Sequence, residues 1–356
     1  MSETLPDEVI VGVDTHKHVH AAVAIDGRGA RLGATTIPVS GEGYRALEAW
    51  ARSMGPVRAF GVEGTGSYGA GLSRFLRERG HSVLEVDRPD RQLRRRKGKS
   101  DPLDAEAAAR AVLGGHAAGL PKSGTGAAEM IRHLKAARDT AVKARTQAMV
   151  ALKALIVAAP AALRERLERI GGRMALVRHL AASRPGPLTS TTASAKAGLR
   201  ALARRWLALD EEIRAHDLQL ERLTRQRAPE LVEAHGMGAG TAAEMLLLVG
   251  DNPERIRSEA AFAKLCGACP IPASSGKVKR HRLNRGGDRR ANAALHRVVV
   301  VRMRRHRPTL DYVRRRTAEG KSKREIIRCL KRFVAREIHG YLCCPRVAAP
   351  TAPHAA

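Results

Sequence analysis

The sequence predicts an α/β amino-terminal domain, a long α-helical, coiled-coil-like middle and a mainly α carboxy-terminal domain. Three observations carry this prediction. The first stretch, to about residue 115, alternates apolar runs of strand length with helical segments. Residues 125 to 227 place apolar side chains at three- and four-residue spacing, and from 228 onward short helical segments alternate with densely basic loops. The expected boundaries are an extension at 1–8, the α/β domain at 9–123, the helical region at 124–227 and the carboxy-terminal domain at 228–342. A Pro- and Ala-rich tail at 343–356 is expected to be disordered.

Each element has its own signal. Val9–Val13 is an apolar run of strand length, and His20–Ile25 is a second, ending at the turn pair Asp26-Gly27. Arg31–Pro38 reads as a third strand. The helix after it sets Tyr44, Leu47, Trp50 and Ala51 on one face. Val57–Val62 is a fourth strand, a helix with Leu72, Phe75 and Leu76 stops at Gly80, and His81–Val86 is a fifth strand. Three early strands followed by helix, strand, helix and strand give a mixed sheet. A further helix starts at Asp101-Pro102, where proline suits the first turn.

In the middle, Leu134, Ala137, Ala141, Ala144, Ala148, Ala151 and Leu155 form a narrow alanine seam that Pro160 ends. Beyond the turn-rich segment Pro185–Thr192, Leu199, Leu202, Trp206, Leu209, Ile213, Leu220 and Leu223 repeat the spacing. Such heptads fit a coiled-coil oligomerisation arm or an intramolecular helical hairpin.

Composition narrows the function. With 64 Lys+Arg against 35 Asp+Glu, the formal net charge is +29, which calls for a polyanionic partner, nucleic acid first. A 44% hydrophobic content excludes wholesale disorder, and apolar stretches such as Met245–Val249 and Val298–Val301 are too short to span a bilayer. Residues 1–9 lack the basic start and apolar core of a signal peptide, and five cysteines form no regular framework. Reduced thiols in a cytoplasmic, nucleoid-associated protein are therefore expected. Aromatics make up only 3%, which disfavours stacking on single-stranded bases, and no phosphate-loop motif points to an ATP motor.

Two constellations could carry chemistry. Asp14 ends the first strand and Glu63 the fourth, while Asp101 and Asp104 lie three apart at a helix start. Strand ends of an open α/β sheet converge on one edge, where gathered carboxylates repel unless a divalent cation neutralises them. Magnesium, or manganese in its place, prefers such oxygen ligands and can clamp a phosphodiester displacement. Taken singly, Asp14 and Glu63 could be isolated strand-end residues and Asp101 a helix cap. The basic loop Arg91–Lys99 just before Asp101 favours phosphate contact through Arg94, Arg95, Arg96, Lys97 and Lys99.

The second constellation lies in the carboxy-terminal domain. The glycines of Gly236-Met237-Gly238-Ala239-Gly240, before an apolar helix, resemble a helix–hairpin–helix turn that lets backbone amides approach a phosphate. A Gly/Pro-framed loop follows, Pro270–Lys277, containing Ser275. Between Lys277 and Arg307 stand twelve Lys/Arg and one acid, Asp288, so a serine alkoxide and an adjacent phosphate would both be stabilised. Lys277, Lys279, Arg280, Arg282, Arg285, Arg289 and Arg290 are the expected backbone contacts, with Gly236 and Gly238. Cys266 and Cys269 have zinc-like spacing without a second pair, and His16, His18 and His20 read as surface residues with no ligand role.

Gly12-Val13-Asp14-Thr15-His16-Lys17, Glu63-Gly64-Thr65-Gly66-Ser67-Tyr68 and Lys99-Ser100-Asp101-Pro102-Leu103-Asp104-Ala105-Glu106-Ala107 resemble the amino-terminal domain of the DEDD transposases of insertion sequences, the one-ten family. Gly236-Met237-Gly238, Phe262–Gly267, Ser275-Gly276-Lys277, Arg285–Asp288, Gly320–Lys323 and Cys329–Arg332 are similar to its carboxy-terminal transposase domain, so the resemblance spans roughly 9–342. It implies an RNase H-like (RuvC-like) first domain in which Asp14, Glu63, Asp101 and Asp104 bind magnesium. It also implies a serine that forms a covalent phosphoserine link to DNA. The family serine precedes a glycine, which selects Ser275 over Ser274. Family members work as bridge-RNA-guided recombinases on double-stranded DNA, as homo-oligomers (dimer or tetramer) whose active sites combine one chain's carboxylates with another's serine. The competing readings are a junction-resolving nuclease that uses water as nucleophile, and a non-enzymatic basic nucleic-acid-binding protein.

Overall fold

The computed structural model describes residues 7–86, 100–117, 119–277 and 281–344. The basic loop Arg91–Lys99, the pair Lys279 and Arg280, and the tail beyond 344 lie outside the described residues. The chain divides into two compact units: residues up to 126 together with 249–261, and residues 127–248 together with everything from 262 on.

The first unit is built on a five-stranded sheet of β1 (Val9–Thr15), β2 (Val19–Ile25), β3 (Arg31–Pro38), β4 (Val57–Glu63) and β5 (Val83–Val86). Its spatial order is β3-β2-β1-β4-β5, with an antiparallel meander β1–β2–β3 continued by parallel pairings of β1 with β4 and β4 with β5. The β2–β3 turn is longer than a two-residue Asp-Gly hairpin. Asp26 Oδ1 accepts from the amides of Arg28 and Ala30 at 2.9 and 2.7 Å, and Gly29 rather than Gly27 takes the positive φ of 87°.

Alternation along the strands gives the sheet two apolar faces. Val11, Val13, Phe60 and Val62 pack with Tyr44 and Leu47 of α1 (Gly41–Arg52) and with Leu72 and Leu76 of α2 (Ala70–Glu78). Ile10, Val23, Ile25 and Ala59 pack against Ala105, Ala108, Ala109 and Val112 of α3 (Asp101–Leu113) on the other face. Small side chains bring α3 down onto the backbone of the sheet. A Cβ added at Gly12 would lie 2.0 Å from the Ala105 carbonyl oxygen and 2.3 Å from the Ala109 nitrogen, and one at Gly61 would lie 2.6 Å from Val112.

Residues 249–261 complete this unit. Asn252 Oδ1 accepts from the Ser123 amide at 2.9 Å, Asn252 Nδ2 donates to the Pro121 carbonyl at 3.0 Å, and Asp251 accepts from Gly126 at 3.0 Å. Arg255 donates to the Leu120 carbonyl at 3.1 Å.

The second unit contains α4 (Ala127–Val157) and α7 (Thr191–Arg227), which run antiparallel: Arg138 pairs with Asp217 at 2.6 Å, Arg145 with Asp210, and Leu155 reaches Gly198. Between them in sequence, α5 (Ala161–Glu168) and α6 (Arg173–Ala182) supply Leu163, Leu167, Val177 and Leu180 to a core with Leu152, Ile156, Leu199, Ala203 and Trp206. The apolar seam of α7 is thus covered within the chain, the hairpin arrangement of the two that heptads allow. On α4 the buried positions include Ile131, Ala141, Ala148, Leu152 and Ile156, while Ala137 and Ala151 of the expected seam are exposed.

The remainder of this unit comprises α8 (Pro229–Glu233), nearly all of α9 (Ala239–Val249), the latter half of α10 (Glu259–Leu265), a short hairpin of β6 (Ile271–Pro272) and β7 (His281–Arg282), and α11 (Arg289–Arg305), α12 (Arg307–Ala318) and α13 (Lys323–Cys343). Buried Arg302 ties them together, donating to the His235 carbonyl at 2.7 Å and pairing two-pronged with Glu337 at 2.6 and 2.9 Å. Among the described residues no helix is long and apolar enough to cross a membrane.

Candidate functional site

The sheet register brings the first carboxylates together. The last registered pair of β1 and β4 is Val13 with Val62, and both pack on the α1/α2 face. Asp14 and Glu63, one residue further along each strand, therefore turn toward the α3 face at neighbouring strand ends. Thr15 Oγ1 donates to the Glu63 carbonyl at 3.0 Å and fastens the two ends.

The other two acids arrive on α3. Ser100, not Asp101, is the N-cap residue, so Asp101 and Pro102 open the first turn and Asp104 follows one turn on. Capping does not occupy the Asp101 carboxylate. The close packing of α3 on Gly12 and Gly61 sets that turn over the end of β1. Asp14 and Asp104 are buried, and Asp101 is exposed.

Electrostatics separate this cluster from Glu48, the other buried acid among the described residues of the unit. Glu48 on α1 meets two guanidinium groups and an imidazole, Arg52 at 2.9 Å, Arg79 at 2.5 Å and His81 at 2.8 Å. Burial works to raise its pKa, but hydrogen bonds from His81 and Arg79 overcome that and hold it below the ordinary range. Asp14 goes the other way. Burial pushes its pKa up, Asp104 and Asp101 add repulsion, and His16 offsets only part of this. A buried carboxylate raised by two more acids is a centre short of positive charge.

His16 is the residue that sequence reading missed. Its Nε2 lies 3.2 Å from Asp14 Oδ2 and 3.3 Å from Asp101 Oδ1, and donor atoms of Asp14, His16 and Asp101 all fall within 4.8 Å of one another. Its place two residues after Asp14, just past the end of β1, was the available signal, but exposed His18 shares that alternation. His20, expected at the surface, is wholly buried and stacks on Tyr44 with ring centroids 6.0 Å apart; His18 is exposed. The buried acid, its acidic neighbours and the adjacent imidazole form a donor set suited to a divalent cation.

The second unit brings other expected residues together. Gly236 takes a φ of 77° in the turn from α8 to α9, Met237 is buried beneath it, and Gly238 and Gly240 are exposed. A cleft of about 870 Å³ is lined by Gly238, Gly240, Arg289, Arg290 and Arg297, with Arg138 and Lys143 of α4. Arg290 also pairs with Asp139 at 3.6 Å. Asp288 is the N-cap of α11, accepting from the Ala291 amide at 2.8 Å, and Gly287 passes so close to Gly267 that an added Cβ would meet its nitrogen at 2.2 Å. Arg285–Asp288 is thus partly a packing motif, with Arg285 exposed.

Ser275 stands exposed between β6 and β7, ahead of Gly276 with a φ of 53°, and Lys277 and Arg282 are exposed on the same hairpin. Cys266 is buried, its thiol pushed up to about 12, first by burial and then by Asp288 and Cys343, and Cys269 Sγ accepts from Asn284 at 3.3 Å. Among the described residues neither thiol belongs to a group of three or more candidate metal ligands.

Residues 11–159 match a family model described as a transposase, of the DEDD type typified by IS110. Residues 228–314 match a second, described as a transposase of the IS116/IS110/IS902 family. The two segments together take in most of the chain. No curated protein matches the sequence.

Proposed function

Because the chain belongs to the IS110 family of transposases, and so is an enzyme that cuts and rejoins DNA, we propose that it works through a covalent phosphoserine at Ser275 and a carboxylate-held divalent cation. Site choice would rest on a bridge RNA. The observation that carries the reading is the gathering of Asp14, Asp101 and Asp104 at the end of the central strand β1, in a chain with a net charge of +29. Acids placed against a polyanion need a cation between them.

The antiparallel meander continued by two parallel strands, with acids at the ends of β1 and β4, supports the RNase H-like, RuvC-like assignment of the first unit. Asp14, Glu63, Asp101 and Asp104 would hold magnesium or manganese. A bound ion of this kind supplies stabilisation of the charge that develops on the phosphate oxygens during displacement.

The protein's own groups do the rest. The Ser275 Oγ attacks phosphorus and releases its proton, the phosphorus–oxygen bond to the 3′ oxygen breaks, and that oxygen leaves as a hydroxyl once protonated. The resulting phosphate ester retains the energy of the broken bond, so a second strand's 3′ hydroxyl can displace serine without ATP. Lys277, Arg282, Arg285, Arg289 and Arg290 would neutralise the backbone on the serine side, and Gly236 and Gly238 would let it approach the α9 turn. Arg94, Arg95, Arg96, Lys97 and Lys99 would do so on the carboxylate side. In a homo-oligomer, one chain's carboxylates would serve another's serine. Since α4 and α7 fill their shared seam, association would use their outer faces, where Val150, Val157 and Leu218 are exposed.

Denaturing capture of the protein from cells carrying the whole element tests the nucleophile. Wild type is expected to retain covalent DNA at discrete junctions, and Ser275→Ala to retain none while still binding RNA. Recombination by the alanine variant, or movement of the element without covalent DNA in wild type, would hand the nucleophile's role to water. Non-covalent DNA binding should weaken by about 10³-fold between roughly 50 and 200 mM salt if six or more phosphates are neutralised. A flat salt response in a filter-binding titration contradicts that interface.

A further inference from the structure

His16 follows the last residue of β1, and its backbone is fixed on both sides. The preceding Thr15 is tied to Glu63, and the His16 amide donates to Nδ1 of the wholly buried His20 at 3.3 Å. The imidazole is therefore delivered to one place, with Nε2 between Asp14 Oδ2 and Asp101 Oδ1.

The manner of that approach is informative. Nε2 is buried and lies within reach of two carboxylate oxygens at once, one from Asp14 and one from Asp101. Donors on adjacent corners of an octahedron, each about 2.1 Å from an ion, stand about 3 Å apart. The separations of 3.2 and 3.3 Å are within a few tenths of that edge length. A nitrogen and an oxygen from the end of β1 and an oxygen from the start of α3 thus already have ligand spacing along the two edges that meet at the nitrogen.

We propose that His16 is a direct nitrogen ligand of the cation held by Asp14 and Asp101, and that it biases this centre toward manganese over magnesium. The inference rests on the carboxylate-centre reading of the preceding section. Magnesium is a hard ion that gains little from imidazole. Manganese tolerates the same carboxylate-rich shell and, as a first-row transition ion, accepts a nitrogen donor. His16 would then set which ion is held, while the acids set that an ion is held at all.

The test uses the full chain with Mn²⁺ alone and Mg²⁺ alone, without DNA. Pulsed electron paramagnetic resonance of bound Mn²⁺ should report a directly coordinated nitrogen in wild type and lose it in His16→Asn. The same substitution should weaken Mn²⁺ binding by about tenfold or more, and Mg²⁺ binding by less than about threefold. Asp14→Asn separates the two levels of the argument. Mn²⁺ that depends on Asp14 but carries no nitrogen signal overturns the role of His16 and leaves the carboxylate centre standing. Mn²⁺ that ignores Asp14, or does not bind, overturns both. Should His16→Asn fail to fold in a thermal melt, the wild-type nitrogen signal decides by its presence or absence.

Discussion

Asp14→Asn is expected to reduce strand cleavage by about 10³-fold or more, on the order of 4 kcal/mol of lost transition-state stabilisation, without weakening the metal-free fold. The second half of that expectation is the more diagnostic. Asp14 is buried, and burial followed by Asp104 and Asp101 raises its pKa above the model-peptide value of 3.8. A carboxyl whose folded pKa is raised contributes stability while it is protonated. That contribution is complete below about pH 3.8 and is lost as pH climbs through the raised folded value. At neutral pH the ionised group therefore opposes folding, and a neutral amide of the same shape relieves it. Melting without divalent ions should show the variant as stable as wild type or more so. Added Mn²⁺ should raise the wild-type Tm and leave the variant's unchanged. A variant that melts well below wild type without metal would assign Asp14 to the fold instead.

Gly12→Ala should be among the most damaging single-methyl additions in the chain. The new Cβ would lie 2.0 Å from the Ala105 oxygen and 2.3 Å from the Ala109 nitrogen, both backbone atoms of α3 that cannot swing aside. Relief requires lifting the helix, which opens the face formed by Ala105, Ala108 and Ala109 and carries Asp101 and Asp104 away from Asp14. A cost of about 3 kcal/mol or more follows from overpacking of this kind. The melting transition of the first unit should fall by roughly 10 °C, and Asp14-dependent metal binding should be lost with it. Gly66→Ala is the matched control, since an added Cβ there meets nothing within 4 Å. Equal melting of the two variants would refute the close-approach argument.

These two positions also show what a sequence makes legible. Apolar runs bounded by turn residues mark β1 through β5, and the Asp101-Pro102 pair marks the start of α3, because strand alternation and first-turn proline are local signals. The acids at strand ends are legible for the same reason. His16 was not, because its partner Asp101 lies 85 positions away and no local pattern separates it from exposed His18. His20 looked like a surface histidine and is buried because Tyr44 of α1 covers it. On α4 an alanine-rich face is ambiguous by one or two positions: alanine suits either side of a helix, and burial by α7 settles on Ala141 and Ala148 rather than Ala137 and Ala151. The return of Asp251, Asn252 and Arg255 to the first unit had no periodicity to announce it, since it is made of single side chains bonding to backbone.

That return has a consequence for synthesis. The hydrogen bonds of Asn252 and Arg255 join residues 129 to 135 positions apart, so a nascent chain that has emerged only to the end of α7 lacks the last strap of its first unit. Vectorial folding would leave Pro121, Ser123 and Gly126 waiting on solvent until more than a hundred further residues have been made. A ribosome stalled at any point before residue 249, or a frameshift there, releases an acidic centre without the segment that finishes its unit. Completion of the carboxylate-bearing unit is thereby coupled to translation past the α9 helix. Truncated products of the reading frame are incomplete in both units rather than whole in the first.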